Sequence, residues 1–246
     1  MRPSPAFPQD DANPPKRSDV PASDVAFTPT VKAIQAEKGS RETYARMEQR
    51  AGWETTITEP LREFVATLDM FYLGTANAAG QPYIQYRGGP AGFLKPLNDT
   101  TLGFADFGGN QQYITAGNLQ DNPQAFLFLM DYQNRRRIKV WGTAEVVEND
   151  SDLLQQLHDR RYPAVPERAI LFHVHSWDIN CPQHIHSRVP TATVAPVMKQ
   201  LQTEIADLRQ RLAQYEDEDM KASSAGDTGQ ASAKNRPGRH SGESAG

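Results

Sequence analysis

The chain has 246 residues, 38% of them hydrophobic and 23% charged, with a net charge of -4 and a single cysteine. That balance excludes a general nucleic-acid binder, which needs a basic face, and one cysteine excludes an internal disulfide framework. No apolar run approaches the ~20 residues of a membrane span, and the Pro- and Asp-rich N-terminus lacks a signal-peptide core, so the sequence reads as a cytoplasmic protein.

Residues 1–25 and 220–246 are rich in Pro, Ser, Ala, Gly and charge, a composition that predicts disordered tails. Residues 26–190 hold the folded domain. Its first part has helical composition, broken at Gly39-Ser40 into two short helices. Thr58 is a candidate N-cap for a third helix, with Pro60 in its first turn and Leu61, Phe64, Val65 and Leu68 on one face.

A run of strands follows. FYLGTA (71–76) and YIQYR (83–87) predict a hairpin around Asn77–Gly80, and GFLK (92–95) and TLGFADF (101–107) a second around Asn98-Asp99. Residues 111–119 read as a helix. AFLFLMDY (125–132) is almost continuously apolar and reads as a strand buried on both faces. RRIKVWGTAEVVE (136–148) alternates clearly, residues 151–161 look helical, and RAILFHVHSW (168–177) is the last strand. Six strands of antiparallel logic with short peripheral helices fit a small β-barrel better than a doubly wound sheet.

The segment 191–219 differs. Val194, Met198, Leu201, Ile205, Leu208, Leu212 and Tyr215 recur with the alternating spacing of an a/d heptad seam, with Thr193 as cap and Pro196 in the first turn. Such a helix either lies on its own domain or pairs with a helix of a second copy.

The most chemically suggestive stretch is Tyr83–Asn122. A basic strand carrying Arg87 and Lys95 neighbours a strand that runs through Gly108-Gly109 and Asn110 into a helical pattern. Unpaired backbone N–H groups at such a turn, with the positive end of a helix, suit a phosphate. Arg137 and Lys139 share one face of their strand.

The order of hairpin, basic strand, Gly-rich turn with helix, NP-strand and RRIKVWG-strand resembles the pyridoxamine 5'-phosphate oxidase-like family of flavin-binding split barrels. The early helices and the ending DINCPQHI are similar to a subgroup of flavin-nucleotide-binding proteins within it. The resemblance implies a six-stranded antiparallel split barrel, an obligate homodimer and FMN bound between the subunits. Carried over residue by residue, it puts Lys95 near the flavin or substrate and Ala105 and Asp106 against the ring or ribityl chain. Gln111 and Gln112 fall where the best-known members have a cationic phosphate clamp. Arg137 falls where a polar side chain reaches the flavin, Lys139 shares the face that this register turns toward the cofactor, and Gly142 is that strand's glycine. The tryptophan- and arginine-containing ending that grips pyridoxamine phosphate is absent, so the resemblance does not extend to that substrate.

His173, His175, His184 and His186 form two HxH pairs with Asp178 and Cys181 between them. Residues i and i+2 of a strand share a face, which would suit a metal. Convergence of all four would need a particular fold-back, so they read as wall or surface residues and no metal is assigned. His184 is the candidate for a proton or hydrogen-bond donor near the flavin. Cys181 is either a redox thiol or, as a lone buried cysteine more often is, an inert packing residue. Two functions remain open: a flavin-dependent oxidoreductase acting on a small molecule, or a non-catalytic, sensory flavin binder.

Overall fold

The computed structural model describes residues 20–50 and 52–227, and the chain divides into two units, Met1–Ser187 and Arg188–Gly246. Most of the two expected tails, residues 1–19 and 228–246, lies outside the described residues. Ala22–Val25 form a 3-10 turn with Ser23 buried, inside the span expected to be a tail.

Two helices open the first unit, α1 (Pro29–Glu37) and α2 (Arg41–Arg50). Thr28 caps α1 by accepting from the Val31 N–H (3.3 Å), and Gly39 breaks the pair at φ 77°, where a left-handed residue costs glycine little. In α3 (Glu59–Thr67), Leu61, Phe64 and Val65 are buried as their spacing predicts. Thr58 occupies the N-cap position, but its hydroxyl makes no capping bond.

Seven strands form one antiparallel sheet: β1 (Met70–Ala76), β2 (Pro82–Gly88), β3 (Lys95–Pro96), β4 (Thr101–Phe107), β5 (Gln124–Asp131), β6 (Arg136–Val147) and β7 (Pro166–Asn180), in the order β2-β1-β5-β6-β7-β4-β3. The mainly β architecture with peripheral helices is the expected one; among the described residues the strands number seven, not six. The stretch 92–95 contributes only Lys95 to a strand. Gly92 turns at φ 77°, and its N–H donates to Leu68 O (2.9 Å), which holds the preceding loop against the end of α3. Pro96 sits opposite Leu102, and the next N–H, that of Leu97, still donates to Thr101 O (2.8 Å).

The core lies between the curled sheet and α3. Phe71 stacks on Phe93 (5.3 Å) and meets Phe104 edge-on (5.1 Å). β5 is not buried on both faces: Ala125, Leu127 and Leu129 point inward, while Phe126 and Phe128 are half-buried on the other side. Phe126 rests there against Trp141 (5.1 Å). On the same outer face the segment before α3 docks through Trp53, which stacks on Trp141 (4.7 Å) and packs against Phe27 (5.1 Å).

The β6–β7 ladder carries a bulge: Trp141 pairs with Ser176 and Gly142 with Val174, so His175 has no partner. A bulge reverses the alternation of the strand beyond it. Phe172 and Val174 face the core before it, and Trp177 faces the core after it.

Two further helices, α4 (Ile114–Asp121) and α5 (Ser151–Leu157), precede β5 and β7. The second unit contains α6 (Thr191–Asp227), which extends past the expected end at 219. It starts at Thr191, so Thr193 is inside it and Pro196 sits beyond the first turn. There the proline removes the bond that Ala192 O would accept.

Candidate cofactor cleft

The sheet order puts β2 at one edge and β4 next to the other. The sheet curls until these two strands face each other, and Arg87 on β2 forms an ion pair with Asp106 on β4. Beside this contact lies a cleft of about 290 Å³, walled by Tyr83, Gln85 and Arg87 on one side, by Asp106 and Arg168 on the other, and closed by the loop 109–113 and the start of α4 (Ile114–Asp121).

α4 is pinned to the sheet by two side-chain bonds. Thr115 Oγ1 donates to Gln85 Oε1 on β2 (2.6 Å), and Asn118 Nδ2 donates to Thr75 Oγ1 on β1 (3.0 Å). All but Gln85 are buried, so each bond satisfies a group that would otherwise be costly to hide.

The helix begins three residues later than the sequence predicts. Gln111 and Tyr113 adopt φ of 56° and 54°, with Gln112 between them not left-handed, and left-handed residues cannot belong to a right-handed helix. An alternation of this kind turns successive backbone N–H groups to one side, which suits an anion. Tyr113 holds the N-cap position and makes no side-chain cap, so the first turn of α4 adds donors that no capping side chain occupies. Asn110 shapes the loop through its Oδ1, which accepts from Gln112 N (3.2 Å).

The charges are closely balanced. Arg168 on β7 lies 3.6 Å (Nε) from Asp106 Oδ2, 3.2 Å from Glu148 and 2.7 Å from Glu167. Burial pushes the Asp106 carboxyl above its ordinary value, and the guanidinium groups of Arg87 and Arg168 pull it back without restoring it. Both arginines keep a buried Nε with no hydrogen-bond partner, and buried donors of that kind are rare enough to require a reason.

Of the residues singled out in the sequence, Arg87, Asp106, Asn110, Gln111 and Gln112 meet at this cleft. The other candidates lie elsewhere. Lys95 donates to Gln156 O (2.6 Å) in a separate recess of about 320 Å³, shared with Ala105, Phe107, His158, Arg160 and Arg161. Ala105 also borders a recess of about 530 Å³ on the far side of Arg87. Arg137 is joined to Asn180, whose Oδ1 accepts from Nε (2.9 Å) and Nη2 (3.1 Å). Lys139 pairs with Asp178 (3.1 Å) and lies over Trp53 and Trp141 (5.3 and 5.2 Å). Its charge therefore anchors the N-terminal segment rather than facing the cleft.

His184 stands exposed in a turn after β7, at φ 62°. His173 bonds Glu145 through Nε2 (2.9 Å) and Thr101 through Nδ1 (3.4 Å), while His175 is the bulge residue. Among the described residues no three His, Cys, Asp or Glu side chains are grouped to hold a metal ion. Cys181 is exposed rather than packed.

Sequence reasoning missed Arg168 and Glu167. Arg168 enters the cleft because β4 and β7 pair with Asp106 opposite it, and a register between strands some 60 positions apart leaves no local mark.

Among solved structures, the chain is similar to HupZ of Group A Streptococcus, at 19% identity over 54% of this chain and 99% of that one with a TM-score of 0.42. It is also similar to an FMN-binding protein from Syntrophomonas wolfei, at 13% over 62% and 97% with a TM-score of 0.39. General stress protein 26 of Bacillus anthracis is similar at 16% over 48% and 88%, with a TM-score of 0.37. No curated protein matches the chain. The sequence profile described as pyridoxamine 5'-phosphate oxidase matches residues 57–181, half of the chain. The chain belongs to the pyridoxamine 5'-phosphate oxidase family.

Proposed function

We propose that this protein binds FMN in the cleft between β2 and β4 and works as a flavin-dependent oxidoreductase on a small molecule. The observation that carries the reading is the convergence at one place of Arg87, an alternately handed loop and an uncapped helix start. A terminal phosphate fits that set of donors. The two buried guanidinium Nε groups that lack a hydrogen bond fit an oxygen-rich ligand as well.

A bound flavin supplies the redox chemistry through its ring. The chain's own part is to hold and orient. The 109–113 loop and α4 give the phosphate backbone donors, with Gln111, Gln112 and Asn110 around it. Arg87 is kept in place by Asp106, so its charge is fixed before the ligand arrives. Ala105 carries no bulk, which lets backbone approach a flat ring in the adjoining recess. Because Gln111 and Gln112 are neutral and Asp106, Glu148 and Glu167 offset the two arginines, the phosphate is held chiefly by backbone N–H groups. No pyridoxamine phosphate oxidase turnover is expected, since the substrate-gripping ending is absent.

A homodimer belongs to this reading. The exposed face of edge strand β2 carries Ile84 and Tyr86, 69% and 60% exposed, and a second copy would cover them and close the cleft.

The test is calorimetric titration of the purified protein with FMN, FAD and riboflavin. FMN is expected to bind most tightly, and equal affinity for riboflavin would remove the phosphate from this cleft. Bleaching of the bound flavin by NADH or NADPH supports the oxidoreductase, and a flavin that no donor reduces favours the non-catalytic binder.

A further inference from the structure

We propose that α6 pairs with α6 of a second copy as a parallel, in-register coiled coil. At 37 residues the helix is about 55 Å long, and an isolated helix carrying an apolar stripe gains little in water without a partner. The seam residues from Val194 to Tyr215 are 40–62% exposed. Three features choose the occupant and its direction.

The first is the seam's chemistry. Leu201 and Leu208 occupy d positions, and Met198, Ile205 and Leu212 occupy a positions. Ile205, the β-branched residue among these a positions, with leucine at d favours two parallel strands.

The second is the pattern of flanking charge. Position g holds Glu204 and Arg211, and position e holds Arg209 and Glu216. In a parallel, in-register pair each g residue faces the e residue five places further on in the other copy. Glu204 then meets Arg209 of the second copy, and Arg211 meets Glu216 of the second copy. Two-fold symmetry doubles both, so all four contacts are attractive. An antiparallel pair aligned on the same seam sets Glu204 against Arg211 and leaves Arg209 facing Gln202, which is half the complementarity.

The third is the outer surface. Gln210, Thr203 and Asp217 fall on the f positions, the face turned away from the seam, and all are polar and exposed. The helix thus has one apolar side and no second one to satisfy.

The test uses the full-length protein in a Cys181→Ser background, so that any added cysteine is the only thiol. Leu201→Cys is expected to crosslink to itself under mild oxidation, because a d residue meets its own counterpart in a parallel pair, and Gln210→Cys is expected not to. Adding Glu204→Arg to the Leu201→Cys chain should cut the crosslinked fraction about fivefold, and adding Arg209→Glu to that chain should restore it. No self-crosslinking at Leu201→Cys overturns the proposal. So does preferential crosslinking in a mixture of Leu201→Cys and Leu212→Cys chains, the antiparallel result, and so does failure of Arg209→Glu to restore the yield. A dimer held by the sheet alone gives no register-specific crosslink. Flavin binding, read by absorbance on the same variants, reports separately on the cleft.

Discussion

Arg87 and Asp106 join the two ends of the sheet: one lies on the edge strand β2, the other on β4. Their side chains are 12% and 17% exposed, so the pair is a partly buried latch. Removing Arg87 leaves the partly buried Asp106 charge with only the longer contact to Arg168 (3.6 Å), whereas replacing both members with apolar groups removes the problem. Arg87→Ala should therefore cost about 3 kcal/mol in urea unfolding, and Arg87→Met with Asp106→Leu about 1 kcal/mol or less. Equal losses in both variants would show that the latch itself stabilises the fold.

The same pair sets a pH dependence. The folded Asp106 carboxyl titrates above its ordinary value because burial outweighs the two guanidinium groups. Stability from a raised carboxyl is fully present below the ordinary value and is lost as the pH rises through the folded one. Relative to Asp106→Asn, the native protein should lose stability as the pH rises above the ordinary carboxylate value. An opposite slope in paired urea midpoints would mean that the guanidinium groups outweigh burial.

Two glycines should respond in opposite ways to alanine. A Cβ on Gly142 would stand 2.0 Å from His173 O beside the bulge, so Gly142→Ala should cost about 3 kcal/mol or more. Gly117 lies within α4 with nothing inside 4 Å of its Cβ, and Gly117→Ala should stabilise by about 0.5–1 kcal/mol. Thermal melts of the two variants check both.

Trp53 holds the N-terminal segment to the outer sheet face by stacking between Phe27 and Trp141. Trp53→Ala should cost about 3 kcal/mol and expose the α1–α2 segment to proteolysis before the barrel. Simultaneous cleavage of both would show that the segment and the barrel unfold as one.

A charge returned to the loop should strengthen the phosphate contact. Gln111→Arg is expected to tighten FMN binding about fivefold and leave riboflavin unchanged. A gain for riboflavin as well would mean that the new arginine touches the ring instead.

Much of the strand order was legible because alternation and turn residues are local signals, as at Asn77–Gly80 and along β6. What escaped was set by distant partners. Gly92 leaves the expected strand because its N–H finds Leu68, and no pattern in the residues 92–95 announces that bond. The bulge at His175 reverses the alternation beyond it, so Val174 and then Trp177 face the core, and that depends on how β7 meets β6. Within the cleft, Arg87, Asp106 and the 110–112 loop were readable as a basic strand and a Gly-rich turn. Arg137 and Lys139 satisfied the same strand rule, yet Lys139 lies over Trp53 and Arg137 is joined to Asn180.

Cys181, exposed at the end of β7, is the chain's one sulfhydryl. A single maleimide reaction therefore attaches one dye per molecule, with nothing to engineer away first. The same exposure makes storage history matter. Air oxidation can link two molecules through this thiol, and such a pair would pass for an assembled dimer on a sizing column. Reductant must be present whenever the native mass is weighed.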